Sequence, residues 1–421
     1  MKASVSKGET GGRVEAPPSK SYTIRGLVCA ALADGESEIV CPLPSDDTEA
    51  ALRVLGQVGV RICQEGDTWS VSGGRFRRPD ADLFCGDSAA TLRFMTAICS
   101  LVPGRCRLVA GPSLGRRPVG PLVAALKQWG VICSARGEVA PVVVDGGSLK
   151  GGLTEMAGNI SSQFLSALLF VAPLAGEGAE IRLSTPLESR AYVAMTLGCL
   201  KEFGIEVECS SDFSEFVAFR QAYRPARYVV EGDWSSASYF LALGATCGEV
   251  EVTNLSIESR QGDKILLDRL RDMGAQVVVK ENSVVVGKSR LRAIRADLSE
   301  CIDLLPTLAV LAAVAEGKSE FTGVGRARLK ESDRVAAVKE GLKRMGIAVG
   351  GGENRLTVTG SRPKGAVIDS RGDHRIAMAF SVLGTVAGDT VIEDAGCVAK
   401  TFPRFWDILK SIGGKVEFDG K

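Results

Sequence analysis

Histidine is almost absent from this chain, and its cysteines lack the spacing that metal sites need. The 421 residues contain one histidine, His374, and 12 cysteines, none of which form a C-x-x-C pair. A structural zinc site takes four Cys or His ligands at short spacings, so we expect no metal site. A disulfide framework is also unexpected in a chain of this length, which favours reduced cysteines and a cytoplasmic location.

The chain also lacks a hydrophobic run long enough to span a bilayer. The two longest runs, residues 164–175 and 304–315, each contain a proline and fall short of the roughly 20 residues that a spanning helix needs. Residues 1–18 are polar, without the apolar stretch of a secretory signal. We interpret both runs as buried core helices and expect no membrane partner.

Neither sign of charge is in excess. Lys and Arg total 51, and Asp and Glu total 50, so a nucleic acid is not an expected partner. Any basic site must be a local pocket. The length favours two domains, or possibly three.

The sequence repeats itself six times at about 70 residues. A leucine, two variable residues, an apolar residue and a glycine recur, with the glycines at positions 59, 130, 204, 274, 346 and 413. Each copy ends an amphipathic stretch and precedes a short β-like run, which is typical of a glycine C-cap between a helix and a strand. The pattern predicts units of strand, helix, strand, helix and further strands.

A second series of six Ala-rich helices lies between these copies. Their C-terminal ends fall near Gly35, Gly104, Gly176, Gly248, Gly317 and Gly388. They are apolar nearly all round, which predicts burial, yet each begins with Ser, Asp, Lys or Arg. One Ser or Asp per helix is explained as an N-cap. A cation at a helix N-terminus opposes the helix dipole, unless an anion binds there.

Five short segments carry the possible chemistry, and each has an ordinary structural explanation. Residues 17–25 place Lys20, Ser21 and Arg25 at a helix start; residues 115–118 (Gly-Arg-Arg-Pro) suit a basic loop. In residues 329–334 (Leu-Lys-Glu-Ser-Asp-Arg), Lys330 and Arg334 are four apart, which predicts one shared helix face. Residues 372–378 hold the lone histidine at a helix mouth, and residues 400–403 (Lys-Thr-Phe-Pro) suit a helix start.

Taken together and in order, these segments resemble the 5-enolpyruvylshikimate-3-phosphate synthase family over essentially the whole chain. The landmarks are Pro-Ser-Lys-Ser, Arg-Pro, Ser-Ser-Gln, Lys-Glu-Ser-Asp-Arg, Asp-His-Arg and Lys-Thr-Phe-Pro. The resemblance implies an α/β fold of two similar domains, each made of three β-α-β-α-β-β units around buried parallel helices. It places one domain at residues 17–230 and the other at 1–16 plus 231–421, with the active site in the cleft between them.

The resemblance also implies the reaction and its site. The enolpyruvyl group of phosphoenolpyruvate passes to the 5-hydroxyl of shikimate 3-phosphate by addition and elimination, without metal or organic cofactor, in a protein expected to be monomeric.

Asp303 is the expected base and Glu331 the expected acid, assisted by Lys20. The residues expected at shikimate 3-phosphate are Lys20, Ser21, Arg25, Ser161, Ser162, Gln163, Ser189, Tyr192, Asp303 and Lys330. Those expected at phosphoenolpyruvate are Lys20, Ala89, Arg117, Gln163, Arg334, His374, Arg375 and Lys400.

Three positions depart from the family pattern. Ala89 stands where relatives have a glycine that packs against phosphoenolpyruvate, and its methyl group would crowd a longer ligand such as glyphosate. Gly115 stands where many relatives have Arg, and Arg326 where some have Asn. The last two bring peripheral contacts into question, while the first predicts weak inhibition by glyphosate.

Three other functions compete with this one. A sister enzyme uses UDP-N-acetylglucosamine as acceptor, but its relatives carry a Cys before the Arg-Pro pair, and residues 111–115 contain none. A catalytically silent anion-binding protein could share the architecture, although binding alone would not need both Asp303 and Glu331. An RNA-end-modifying enzyme with related repeats is disfavoured by the balanced charge.

Overall fold

A computed structural model describes residues 1–419 of the chain. Within that range the helices, numbered α1 to α12 in chain order, are Lys20–Leu32, Asp46–Gln57, Ala89–Ile98, Gly120–Gln128, Ser162–Val171, Arg190–Glu202, Trp234–Cys247, Leu266–Asp272, Leu305–Val314, Arg334–Arg344, His374–Ala387 and Phe405–Ser411. The strands β1 to β12 are Lys2–Ser6, Thr10–Glu15, Gly35–Val40, Arg61–Glu65, Thr68–Gly73, Leu83–Phe84, Gly104–Val109, Ile132–Arg136, Val139–Gly146, Gly152–Ala157, Ala179–Thr185 and Glu208–Cys209. The strands β13 to β24 are Glu215–Ala218, Arg227–Val229, Gly248–Thr253, Gln276–Val279, Ser283–Gly287, Arg295–Asp297, Lys318–Thr322, Ala348–Gly350, Arg355–Thr359, Val367–Asp369, Thr390–Glu393 and Lys415–Asp419.

The chain divides into two compact units. The terminal unit is Met1–Pro17 with Glu231–Lys421, and the inserted unit is Pro18–Val230. The chain therefore leaves the terminal unit after β2 and returns to it before α7.

The inserted unit contains three four-stranded sheets built on one plan. A strand, a buried helix and a parallel strand are followed by a second helix and an antiparallel hairpin, as in the sheet β6-β7-β9-β8. The sheet β10-β11-β13-β12 repeats this order. The first sheet, β14-β3-β5-β4, takes its parallel strand from the end of the unit, because the chain enters this unit at α1.

The terminal unit follows the same plan with its own permutation. Its sheets are β16-β17-β15-β2, β18-β19-β21-β20 and β22-β23-β1-β24. In the last sheet, β1 pairs antiparallel with both β23 and β24. The first and last strands of the described chain therefore complete one sheet, and the sixth repeat closes only when both are present.

The first helix of each repeat forms the core of its unit. In α9, nine of the ten residues are buried, and α5 is equally enclosed. The inserted unit has one hydrophobic core around α1, α3 and α5, and the terminal unit has another around α7, α9 and α11. The interpretation of the two longest apolar runs as core helices is confirmed. Over residues 1–419, no helix combines the length and apolarity that crossing a bilayer requires.

The second helix of each repeat ends as the glycine series predicts. The six closing glycines all have positive φ, the left-handed region where a Cβ is disfavoured; their values are +103° for Gly59, +80° for Gly130, +76° for Gly204, +87° for Gly274, +79° for Gly346 and +97° for Gly413.

In three of the six repeats, a different glycine lies where the hairpin meets the end of the buried helix. A Cβ at Gly360, just after β21, would lie 1.8 Å from the carbonyl oxygen of Ala315 at the C-cap of α9. Gly146 at the end of β9 and Gly73 at the end of β5 make the equivalent approach to α3 and α1, at 1.9 and 2.3 Å. In these three repeats the close approach leaves no room for a Cβ.

Replacement of Gly360 by alanine should destabilise the terminal unit. The new methyl group meets backbone, which cannot move aside without shifting α9 or β21, so we expect a loss of about 3 kcal/mol in the free energy of unfolding. Gly352→Ala is the matched control, because nothing lies within 4 Å of its Cβ position, and it should change stability by less than about 0.5 kcal/mol. Urea denaturation of both variants measures this, and equal stabilities would contradict the close approach.

Candidate active site

Arg334, the first residue of α10, lies at the centre of a buried ionic cluster in the terminal unit. Its guanidinium is 1% exposed and donates to three carboxylates: to Asp303 at 2.6 Å, to Asp373 at 2.8 Å and to Glu331. Burial lowers the pKa of Arg334, but the three carboxylates outweigh that effect and raise it. The side chain is therefore permanently charged and holds three acidic groups in fixed positions.

Asp303 faces two further cations. Lys330 Nζ lies 3.2 Å from one of its oxygens, and an Arg375 Nη lies 3.5 Å from the other. Burial raises the pKa of Asp303, yet Lys330, Arg375 and Arg334 together hold it well below its ordinary value. Asp303 is accordingly ionised at any physiological pH, and it is a weak base while these cations surround it.

The beginning of α11 joins the same cluster. Asp373 is the N-cap, accepting from the Arg375 backbone N–H at 3.0 Å, and its other oxygen accepts from Ser332 Oγ at 3.0 Å. His374, the first helical residue, is buried, with Nδ1 4.0 Å from Asp373. Lys400 is buried at the end of the short 3-10 helix Ala395–Lys400, which packs on α11.

The expected helix face shared by Lys330 and Arg334 is wrong. Lys330 has an extended backbone and follows the 3-10 helix Gly325–Leu329, while α10 begins only at Arg334. Asp333 caps α10 by accepting from the Ala336 N–H, and a capped start at that point excludes Lys330 from the helix. The two cations still meet, because both contact Asp303.

In the inserted unit, Lys20 begins α1 and is paired with a carboxylate that the sequence analysis did not single out. Its Nζ lies 2.8 Å from Asp47, a buried residue in the first turn of α2. Ser21 is the next residue of α1, and its backbone carbonyl accepts from Arg25 at 3.0 Å.

Arg25 crosses from α1 to α6. It donates to Thr196 Oγ1 at 2.9 Å and to the Tyr192 carbonyl at 3.1 Å, and its guanidinium lies over the rings of Phe94 and Tyr192. Thr196 in turn donates to Ser166 of α5 at 2.8 Å. Burial lowers the pKa of Arg25. Arg25 and Tyr192 are thus brought together, as a shared binding role requires.

Arg93 of α3 makes the corresponding crossing to the start of α5. It donates to Ser161 Oγ at 3.1 Å, to Gln163 Oε1 at 2.7 Å and to the Pro118 carbonyl at 3.0 Å, with Phe164 below its guanidinium. One buried cation therefore joins the Ser-Ser-Gln segment to the loop that carries Arg117. The loop itself contains the 3-10 helix Leu114–Arg116, with Arg117 as its buried C-cap.

Two helices of the inserted unit begin with serines beside each other. Ser161 caps α5 by accepting from the Gln163 N–H, and Ser162 is its first residue. Ser189 caps α6 from a left-handed conformation with φ of +57°. The segments before the two helices are joined by a hydrogen bond from Glu188 N–H to the Gly158 carbonyl. Left-handed non-glycine residues are strained and are frequent at functional sites.

Ala89 is the first residue of α3 and is buried. Two residues earlier, Asp87 accepts from the Leu114 N–H at 2.8 Å and so anchors the loop of Arg117. The methyl group of Ala89 therefore lies at the N-terminus of a core helix, at the position where the family pattern has glycine.

Three residues of these contacts, Asp47, Arg93 and Asp373, were not predicted from the sequence. The sequence repeat does, however, indicate Arg93. Thr91-Leu92-Arg93 in the second repeat corresponds to Thr23-Ile24-Arg25 in the first. The equivalence of Arg93 and Arg25 could therefore be predicted from the sequence. The pairing of Asp47 with Lys20 could not, because it depends on the packing of α2 against α1. Over residues 1–419, His, Cys, Asp and Glu side chains form no cluster of three that would suit a metal ion.

Comparison with known proteins identifies the family. The model of the family described as "EPSP synthase (3-phosphoshikimate 1-carboxyvinyltransferase)" matches residues 6–409. A 3-phosphoshikimate 1-carboxyvinyltransferase of Dehalococcoides mccartyi is 50% identical over 99% of both chains. One from Methanocaldococcus jannaschii is 39% identical over 96% of both.

Solved structures agree in fold. An EPSP synthase from Acinetobacter baumannii superposes with a TM-score of 0.85 at 25% identity over the full length of both chains. The enolpyruvyl transferase NikO from Streptomyces tendae has a TM-score of 0.79 at 18% identity, over 99% of this chain and 98% of its own. The predicted α/β fold class and the predicted family resemblance are both confirmed.

Arg334→Met should destabilise the terminal unit strongly. The substitution leaves Asp303, Glu331 and Asp373 without their shared buried cation, and removal of one partner from such a cluster costs about 3–5 kcal/mol. Arg344→Met, at the other end of α10, removes an exposed pair with Glu340 and an exposed hydrogen bond to the Val367 carbonyl, and it should cost less than about 1 kcal/mol. Urea unfolding at neutral pH compares them, and equal losses would refute the buried cluster.

Proposed function

The chain belongs to the EPSP synthase (3-phosphoshikimate 1-carboxyvinyltransferase) family, and from that premise we propose that it transfers the enolpyruvyl group of phosphoenolpyruvate to the 5-hydroxyl of shikimate 3-phosphate. Phosphate is released, and the product belongs to the shikimate pathway of aromatic amino-acid biosynthesis. The observation that carries the proposal is Asp303 ringed by Lys330, Arg334 and Arg375, with Glu331 on the same Arg334. This arrangement supplies cations for two phosphorylated acids and two carboxyl groups for proton transfer.

Each unit contributes its own set of proposed substrate contacts. Shikimate 3-phosphate binds in the inserted unit. Ser161, Ser162 and Ser189 hold its 3-phosphate, since helix N-termini favour phosphate. Its carboxylate binds Arg25, with Tyr192 and Gln163 beside it and Lys20 and Ser21 along the ring. From the terminal unit, Asp303 and Lys330 bind its ring hydroxyls.

Phosphoenolpyruvate binds a set of mainly cationic residues. The residues assigned to it are Lys20, Ala89, Arg117, Gln163, Arg334, His374, Arg375 and Lys400. Cations that are paired with protein carboxylates in the free protein can exchange those partners for ligand anions without being left unpaired.

That exchange prepares the base. As the ligand anions engage Arg375 and Arg334, and the ring hydroxyls engage Lys330, Asp303 loses part of the stabilisation of its charged form, so its pKa rises toward a useful value. Asp303 then accepts the 5-hydroxyl proton while the oxygen attacks C2 of phosphoenolpyruvate. Glu331, assisted by Lys20, delivers a proton to C3, which completes a tetrahedral intermediate.

Elimination reverses the proton transfer at carbon. The C3 proton returns to Glu331, the C2–C3 double bond re-forms, and the C2–O bond to phosphate breaks. The phosphate leaves toward the cations that bound it in the substrate and takes up the proton that Asp303 accepted from the 5-hydroxyl, which restores the charged carboxylate. The chain's own side chains supply each proton step, and we propose a monomeric cytoplasmic enzyme that needs no cofactor.

Phosphate release from phosphoenolpyruvate tests the function. Release is expected with shikimate 3-phosphate and not with UDP-N-acetylglucosamine. Asp303→Asn and Glu331→Gln should each lower kcat by about 10²–10⁴-fold, the usual value of a positioned acid or base. Glu340→Gln, an exposed site on α10, should leave kcat unchanged. Release with UDP-N-acetylglucosamine alone would assign the sister reaction, and full activity of both variants would move the proton steps to other residues.

Ala89→Gly should increase sensitivity to glyphosate. Removal of the methyl group relieves crowding of the longer ligand more than of phosphoenolpyruvate, so we expect the inhibition constant to fall by about tenfold or more, while KM changes about twofold at most. Ala90→Gly, the next residue of the same helix, controls for loss of helix propensity. An inhibition constant that is unchanged in Ala89→Gly, or already low in the wild type, would contradict the role of Ala89.

A further inference from the structure

A second buried carboxyl group lies in the terminal unit beside the cluster of Arg334. Asp263 is 4% exposed and belongs to the 3-10 helix Gly262–Ile265. It accepts a hydrogen bond from Ser235 Oγ, in the first turn of α7. The mechanism above does not use it.

The backbone around Asp263 is fixed to the start of α7. Gln261 Nε2 donates to the Gly232 carbonyl at 2.7 Å, and the Trp234 N–H donates to Gln261 Oε1 at 3.0 Å. Asp263 therefore has little freedom to turn its carboxyl group toward solvent.

Packing of α7 against α9 brings Asp263 to the same end of the core as Asp303. Ser238 and Thr307 are hydrogen-bonded at 2.9 Å between the two helices. Ser235 lies one turn before Ser238, and Asp303 lies one turn before Thr307, so both mark the N-terminal ends of neighbouring helices.

The charged groups around Asp263 differ from those around Asp303. Three cations contact Asp303, whereas Asp263 has Arg375 of α11 as its cationic neighbour and Asp303 and Asp233 as anionic ones. Burial, and next the charge of Asp303, raise the pKa of Asp263 to about 7. Cys301 nearby stays neutral, because burial raises its pKa to about 12.

We propose that Asp263 is a positioning residue for the enolpyruvyl transfer, whose neutral form leaves Arg375 to Asp303 and to phosphoenolpyruvate. This inference rests on the proposed function. When Asp263 ionises, it becomes a second anion that competes for Arg375 and repels the anionic substrate. Phosphoenolpyruvate should therefore bind more weakly to the ionised form, and by linkage its binding should favour the neutral form.

The kinetic test compares Asp263→Asn with the wild type across pH 6 to 8.5. Asparagine keeps the shape and can still accept from Ser235, but it cannot ionise. The ratio of wild-type to variant KM for phosphoenolpyruvate should rise by about fivefold or more over this range. Groups common to both proteins, including the substrate phosphates, cancel in the ratio. Asp268→Asn, an exposed change on α8, should give a flat ratio, and a flat ratio for Asp263→Asn would overturn the proposal.

A thermal test needs no activity. Between the ordinary pKa of Asp and the raised folded value, the unfolded chain releases a proton that the folded protein keeps, so wild-type stability falls as pH rises through this window. The Tm of Asp263→Asn relative to wild type should therefore increase between pH 5 and pH 8. A constant Tm difference would overturn the role of Asp263 alone. Absence of phosphate release in the wild type would instead overturn the proposed function.

Discussion

A buried guanidinium needs hydrogen-bond acceptors for its donors, and Arg334 meets that constraint with three carboxylates. Asp303, Glu331 and Asp373 come from three different segments, and their positions are fixed relative to one another because they share one rigid, forked cation. Asp373 at the same time caps the core helix α11. The proposed acid–base pair and the start of that helix therefore depend on one side chain, which couples the stability of the terminal unit to its proposed chemistry.

The inserted unit uses cations in a similar way. Arg25 and Arg93 occupy equivalent places in adjacent repeats, and each leaves a core helix to bind the third repeat of that unit. Repetition thus supplies a pair of arginines, of which Arg93 holds Ser161, one of the serines proposed to bind phosphate. The cluster of Arg334 likewise joins two repeats of the terminal unit, because Asp373 belongs to a different repeat from Asp303 and Glu331.

Periodicity was enough to predict much of the fold. The glycine caps, the buried core helices and the α/β class follow from spacing and composition, since each reports a local requirement of backbone or solvent. β14 and β1 each join a sheet whose other strands lie far away in the sequence. This permutation has no local signal in the sequence, because strand pairing is set by packing of the whole unit. At the site, Lys20, Asp303 and Arg375 were recognisable from motifs. The pairing of Lys20 with Asp47, the start of α10 at Arg334 and the burial of Asp263 arise from contacts between segments far apart in sequence.

We propose that Asp303 pairs with the surrounding cations in the free protein, and that substrate anions replace it when they bind. Calorimetric titration of Asp303→Asn with phosphoenolpyruvate tests it directly, beside the wild type at the same pH and ionic strength. The account predicts that the variant binds phosphoenolpyruvate about tenfold more tightly, since loss of one competing charge is worth about one pKa unit, or 1.4 kcal/mol, even though turnover is lost. Equal or weaker binding by the variant would show that Asp303 does not compete with the substrate for Lys330, Arg334 and Arg375, and would contradict the account.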